Sequence, residues 1–73
     1  MIQDETVARE ISELMLDIGA RIDRSVETVK NSCPEEDFAR YRAAAGAIMA
    51  EILLGVLNPL YEEHPAVKPA EMD

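Results

Sequence analysis

The chain has 73 residues, 48% of them hydrophobic, and 15 acids against seven bases give a formal net charge of −8, which suits one small, acidic domain and disfavours disorder over most of its length. The lone Cys33 excludes an internal disulfide, and one cysteine with one histidine cannot build a structural zinc site, so stability must come from association or unusually efficient packing. The net charge also disfavours phosphate-rich partners, and the bases do not gather into a patch that would reverse this.

Charge divides the chain into three parts. Residues 1–17 and 43–73 each carry five acids and one base, whereas 18–42 balance five acids with Arg21, Arg24, Lys30, Arg40 and Arg42. If the chain folds back on itself, the acidic segments meet at one end. The acidic, polar N-terminus shows no signal-peptide pattern. The apolar run 43–57 is shorter than the roughly 20 residues of a bilayer span and is closed by Arg42 and Asn58-Pro59. The expectation is a soluble cytoplasmic protein with no membrane segment.

From Asp4 to Asn31 there is no proline, and Gly19 is the only glycine. At about 100° per residue, Val7, Ala8, Ile11, Leu14, Met15, Ile18, Ile22, Val26 and Val29 share one apolar arc, which predicts a helix over about 4–31 lying on a core. Apolar spacings of eleven favour a nearly straight helix over a left-handed supercoil. Leu16 falls on the far side, as an ordinary exposed leucine.

Asn31-Ser32-Cys33-Pro34 punctuates the chain. Asn31 is suited to a left-handed helix end, and two starts are open for the next helix: a capping box of Ser32 with Glu35, or Cys33 as cap with Pro34 as first helical residue. Glu35, Glu36 and Asp37 then occupy the first turn, where the helix dipole favours acids. So short a link makes the second helix, about 34–57, antiparallel to the first. Asn58-Pro59 ends or kinks it, because the Pro59 ring meets the carbonyl of Gly55; a kinked extension to residue 63 is the second option. Residues 64–73 contain two prolines and little to bury, which predicts an extended, mobile tail.

The second helix has two apolar faces. Phe38, Tyr41, Ile48, Met49, Ile52, Leu53 and Val56 make a face of large side chains that matches the stripe of the first helix. Ala39, Ala43, Gly46, Ala47 and Ala50, bounded by Leu54 and Leu57, make a face of small ones that permits close helix approach. A hairpin has nothing of its own to cover the second face. The fold expected is therefore all-α: an antiparallel helical hairpin that dimerises into a four-helix bundle, a different protein being the other candidate for cover. Glu51, the one polar residue of 43–57, shares a narrow arc with Arg40, Ala44, Gly55 and Asn58. It reads first as part of a solvated seam, second as the partner of Arg40 or Arg42 on an antiparallel neighbour, and last as a carboxylate inside a bundle.

No constellation points to catalysis. Cys33 has no neighbouring base and reads as a cap or packing residue; His64 reads as a solvated tail histidine, with Glu62 and Glu63 at nonspecific metal-ligand spacing. Ser12, Ser25 and Ser32 lack the histidine or lysine of an activated nucleophile, and there is no phosphate-binding glycine motif. The central bases are interleaved with acids, so RNA or DNA binding is not expected. The sequence points to a non-catalytic interaction module (an adaptor, small chaperone or regulatory subunit) that needs no cofactor and no metal. Its expected partners are a second copy or another protein, with Leu60, Tyr61 and Val67 as candidate tail contacts. The alternative is a ligand- or metal-binding bundle using Glu51 and the acidic end.

Overall fold

A computed structural model describes residues 1–72. The chain is an all-α helical hairpin, 45 × 20 × 16 Å. Helix α1 spans Glu5–Ser32 and α2 spans Glu35–Ala50; a π-helical segment, Glu51–Leu57, joins α2 to α3, Asn58–Glu63, and single 3₁₀ turns follow at Pro65–Val67 and Ala70–Met72. Among the described residues there is no strand.

Asp4 caps α1 by accepting a hydrogen bond from the Val7 N–H at 3.1 Å. The other end does not use the left-handed Asn31 expected from sequence. Asn31 and Ser32 remain helical, and among the described residues none has positive φ. Pro34 holds Cys33 extended (φ −128°, ψ 160°), which stops the helix without a reversal of handedness. Neither expected cap forms. Pro34 itself precedes the helix and Glu35 is its first residue, so the first turn has no side-chain cap and relies on Glu35, Glu36 and Asp37.

Pro59 does not end the second helix, which takes the longer of the two expected courses, to residue 63. The rod runs without a break over Glu35–Glu63, 29 residues. The Asn58 N–H bonds the carbonyl of Leu53, five residues back, so the ladder has widened before the proline arrives. In a regular α-helix the ring would strike the carbonyl four residues earlier; the wider turn relieves that contact. It also retards the rotation of the residues beyond Glu51. Leu57 is thereby turned off the small-residue face where an α-helical wheel puts it, and it is 3% exposed.

The two helices meet along a line nearer Ala45 than the broad face expected. Ala45 is buried, Phe38, Met49, Ile52 and Val56 are half-buried, and Tyr41, Ile48 and Leu53 stand exposed on the flanks. On α1 the contact line runs through Ala8, Ser12 and Gly19, all buried, which leaves Val7 and Leu14 exposed at 41% and 48%. Met49 lies across Gly19: a Cβ there would sit 3.3 Å from the Met49 Cε. Leu16, expected on the outer surface, is half-buried against the core.

That core sits at the open end of the hairpin. Ala8, Leu57, Leu60, Tyr61 and Val67 form it, with Ile2, Ile11, Met15, Leu16 and Ile52 packed around it. Within it the Ser12 and Tyr61 hydroxyls hydrogen-bond at 2.6 Å. Residues 64–67 are therefore not the extended, mobile tail that their prolines suggested. His64 is buried and donates from Nε2 to the Ile2 carbonyl, its own carbonyl accepts from the Val67 N–H, and Val67 is 5% exposed. The physical reason is that Leu60 and Tyr61, packed on Ala8 of α1 from one side, need Val67 as cover on the other. Residue 73, the last of that tail, lies outside the described residues. The Met1 ammonium pairs with Glu63, and its hydrogen bond holds that carboxyl below the ordinary glutamate range. A depressed folded pKa makes this contact contribute at neutral pH and vanish as acid protonates Glu63.

Two substitutions test this end. Val67→Ala removes two buried methyl groups and is expected to cost about 1.5 kcal/mol by chemical denaturation, whereas a mobile tail gives no change. Tyr61→Phe removes one partner of the buried Ser12 hydroxyl and is expected to cost about 1 kcal/mol or more, with Ser12→Ala added to Tyr61→Phe recovering part of the loss.

Candidate functional site

With α1 against one side, the Glu35–Glu63 rod has two open flanks. On the first, Leu16 and Ala20 of α1 and Gly46, Ala50, Leu53 and Leu57 of the rod line an apolar groove of about 560 Å³ whose only charged lining residue is Asp23. Continuing round the rod from Gly46 and Ala50, helical geometry places Ala39, Ala43, Ala47 and Leu54. All four are exposed, Leu54 at 64%. Of the residues expected to form an interface, Ala39, Ala43, Gly46, Ala47, Ala50 and Leu54 thus share one uncovered surface. Leu57 alone belongs to the hairpin's own core, for the rotational reason given above.

The chain leaves this surface bare at backbone level. A Cβ built at Gly46 meets no atom within 4 Å. The second flank is marked by the Ser25–Tyr41 hydroxyl contact at 2.7 Å, and it leaves Ile48 53% exposed. Total accessible surface is 5275 Å² for 8.1 kDa. A compact monomer of that mass exposes about 4,500 Å², so the surplus of about 800 Å² equals what one partner contributes to an ordinary protein–protein interface.

At the edge of the uncovered face lies a polar seam. Arg40, Ala44 and Glu51 share it and are exposed, and Gly55 and Asn58, turned from the α-helical arc by the wider turn, are exposed as well. The Glu51 carboxylate lies beside the bare Gly55 backbone, 3.3 Å from where a Cβ would stand. Neither Arg40 nor Glu51 has an ion-pair partner among the described residues, where the side-chain pair is Asp17–Arg21 on α1. Cys33 is exposed at the turn. Among the described residues no group of three metal-ligating side chains comes together, so the metal form of the alternative gains no support.

The residues suspected as tail contacts are placed elsewhere. Leu60, Tyr61 and Val67 are 0%, 7% and 5% exposed, inside the open-end core, and offer nothing to a partner while the chain is folded. His64 is likewise a buried hydrogen-bonding residue rather than a solvated one. Their inward placement had one signal in the sequence: Ile2, Leu60 and Tyr61 are apolar groups at opposite chain ends that a hairpin brings together.

The Glu35–Glu63 rod is long and apolar enough to cross a bilayer, by length and composition only: an 18-residue window in it has mean hydropathy 1.7, and 17% of that window is buried in the chain. The expectation that Asn58-Pro59 closes the apolar run fails, because the helix continues through it. Against insertion stands α1, which lies along the rod and carries Asp17, Arg21, Asp23, Arg24 and Glu27 at the same level. Such groups are costly in hydrocarbon. No family model, curated protein or solved structure matches this chain.

Proposed function

We propose that the chain is a non-catalytic helical interaction module that pairs through the uncovered face of its second helix to form a four-helix bundle, α2 inside and α1 outside. The observation that carries this reading is the exposure of a continuous apolar surface, Gly46 to Leu54, on a helix already packed on its other side. Apolar area of that extent gains free energy when removed from water, and small residues let two backbones approach closely enough to exclude it. The groove beside Gly46 lies on the same flank, so an approaching helix fills it as well.

In this arrangement the second flank, with Tyr41 and Ile48, remains outward and is the surface left for a different protein, in keeping with an adaptor or regulatory role. The apolar groove also supports a ligand-binding reading, in which a small hydrophobic molecule takes the place of the approaching helix. In either reading the chain stays in solution, and its acidity keeps it from anionic lipid and nucleic acid.

Thermal melts separate these readings. Pairing predicts a melting temperature that rises with protein concentration, whereas ligand binding predicts a shift on adding an apolar ligand panel to a concentration-independent melt. Gly46→Leu sharpens the test. Inside one hairpin its side chain meets open space and improves helix propensity by about 0.5–1 kcal/mol, so an isolated chain is stabilised. Across a close-packed interface it overpacks by about 1–3 kcal/mol and abolishes the concentration dependence. A variant that melts higher, with the wild-type response to concentration, refutes the pairing.

A further inference from the structure

We propose that the occupant of the uncovered face is a second copy of this chain running antiparallel, with Arg40 of each copy paired to Glu51 of the other. This rests on the reading of that face as an interface and adds its occupant and its register.

Arg40 and Glu51 are eleven residues apart, which is three helical turns. They therefore stand on the same edge of the rod, about 16 Å from one another along its axis. That is too far for them to pair within one chain, and both are exposed without an ion-pair partner among the described residues. In an antiparallel pair related by a two-fold axis the same edge of each rod meets its counterpart. Residues equally distant from the axis, on opposite sides of it, then face each other. An axis level with residues 45–46 puts Arg40 opposite Glu51 of the second copy and, by symmetry, Glu51 opposite Arg40 of the second copy.

That level is also where the rod is thinnest. Ala43, Gly46 and Ala47 bracket it, and the space beside Gly46 is open. One register thus satisfies two independent requirements, closest approach at the smallest side chains and reciprocal charge pairing at the edge. A parallel pair would put the Arg40–Glu51 edges of the two copies on opposite sides of the interface, so neither residue would meet its complement. Arg42 points well round the rod from Glu51 and falls on the opposite edge, so it does not compete. A foreign helix has no reason to carry this match, whereas a second copy must. The pairs are at the rim, so their main effect is to choose orientation and register, while the apolar face supplies most of the affinity.

Charge reversal on the full chain tests this by analytical ultracentrifugation. Arg40→Glu and Glu51→Arg, each alone, set two like-charged pairs across the interface and are expected to weaken the dimer by roughly tenfold. The double variant is expected to regain wild-type affinity. Net charge alone predicts otherwise: it becomes −10 in the first variant and −6 in the second, from −8, so a general charge effect would weaken one and strengthen the other. Mixing the two single variants is expected to yield heterodimers in preference to either homodimer by native mass spectrometry. If the singles dimerise like wild type, or the double variant is weaker than both, the register is wrong while the interface stands. A wild-type chain that stays monomeric, or leaves solution only for phosphatidylcholine vesicles, overturns the interface and the register together.

Discussion

One helix can shield only about a third of the circumference of another, and α1 meets the second helix along a line of small or flexible side chains: Ala8, Ser12 and Gly19 on α1, with Met49 across Gly19 and Tyr61 across Ser12. That contact brings the helices close together but covers a narrow strip. The second helix is apolar over much more of its surface than the strip accounts for, since Glu51 is the only polar residue from 43 to 57. Every other feature of the hairpin follows from how that excess is handled.

At the open end the chain handles it internally. The π-helical segment carries the helix through Pro59 and rotates Leu57 inward, after which Leu60 and Tyr61 close on Ala8 and Val67 folds over them. His64 anchors the last step by bonding the carbonyl of Ile2, which ties the two chain ends into one small core. Along the middle of the rod no such device exists. Gly46 faces open space and Leu54 is largely exposed, so the surplus stays uncovered in a single chain, and in our proposal a second copy covers it. The polar seam at Arg40 and Glu51 limits that surface on one edge and offers complementary charges to a copy of itself.

The hairpin was legible in the sequence because it depends on signals that survive without tertiary information: the period of the apolar residues, the proline at 34 and the scarcity of glycine and proline inside the helices, which hold only Gly19, Gly46, Gly55 and Pro59. Most of the exposed small-residue face, Ala39 to Ala50, and the Arg40 and Ala44 part of the polar seam were legible for the same reason, since they lie on regular α-helix where a wheel gives true angles. Leu57 was misplaced because the π-helical turn that precedes it changes the angle per residue, and only the clash at Pro59 hinted at that change. His64 and Val67 were misjudged on local composition. Two prolines do argue against a helix, but they say nothing about whether a turn is needed as a lid, which depends on Leu60, Tyr61 and Ile2 meeting in space. Leu16 was assigned outward from its angle on α1, whereas the close approach at Gly19 draws the neighbouring positions into contact as well. The cap at Asn31 was lost to Pro34, whose constraint on Cys33 acts first.

The central claim is that a single copy exposes more apolar surface on its second helix than its first helix can cover. Multi-angle light scattering on the wild-type chain at micromolar concentration tests it most directly. The account predicts a mass twice the 8.1 kDa of one chain. A folded, heat-resistant species at the single-chain mass would contradict it.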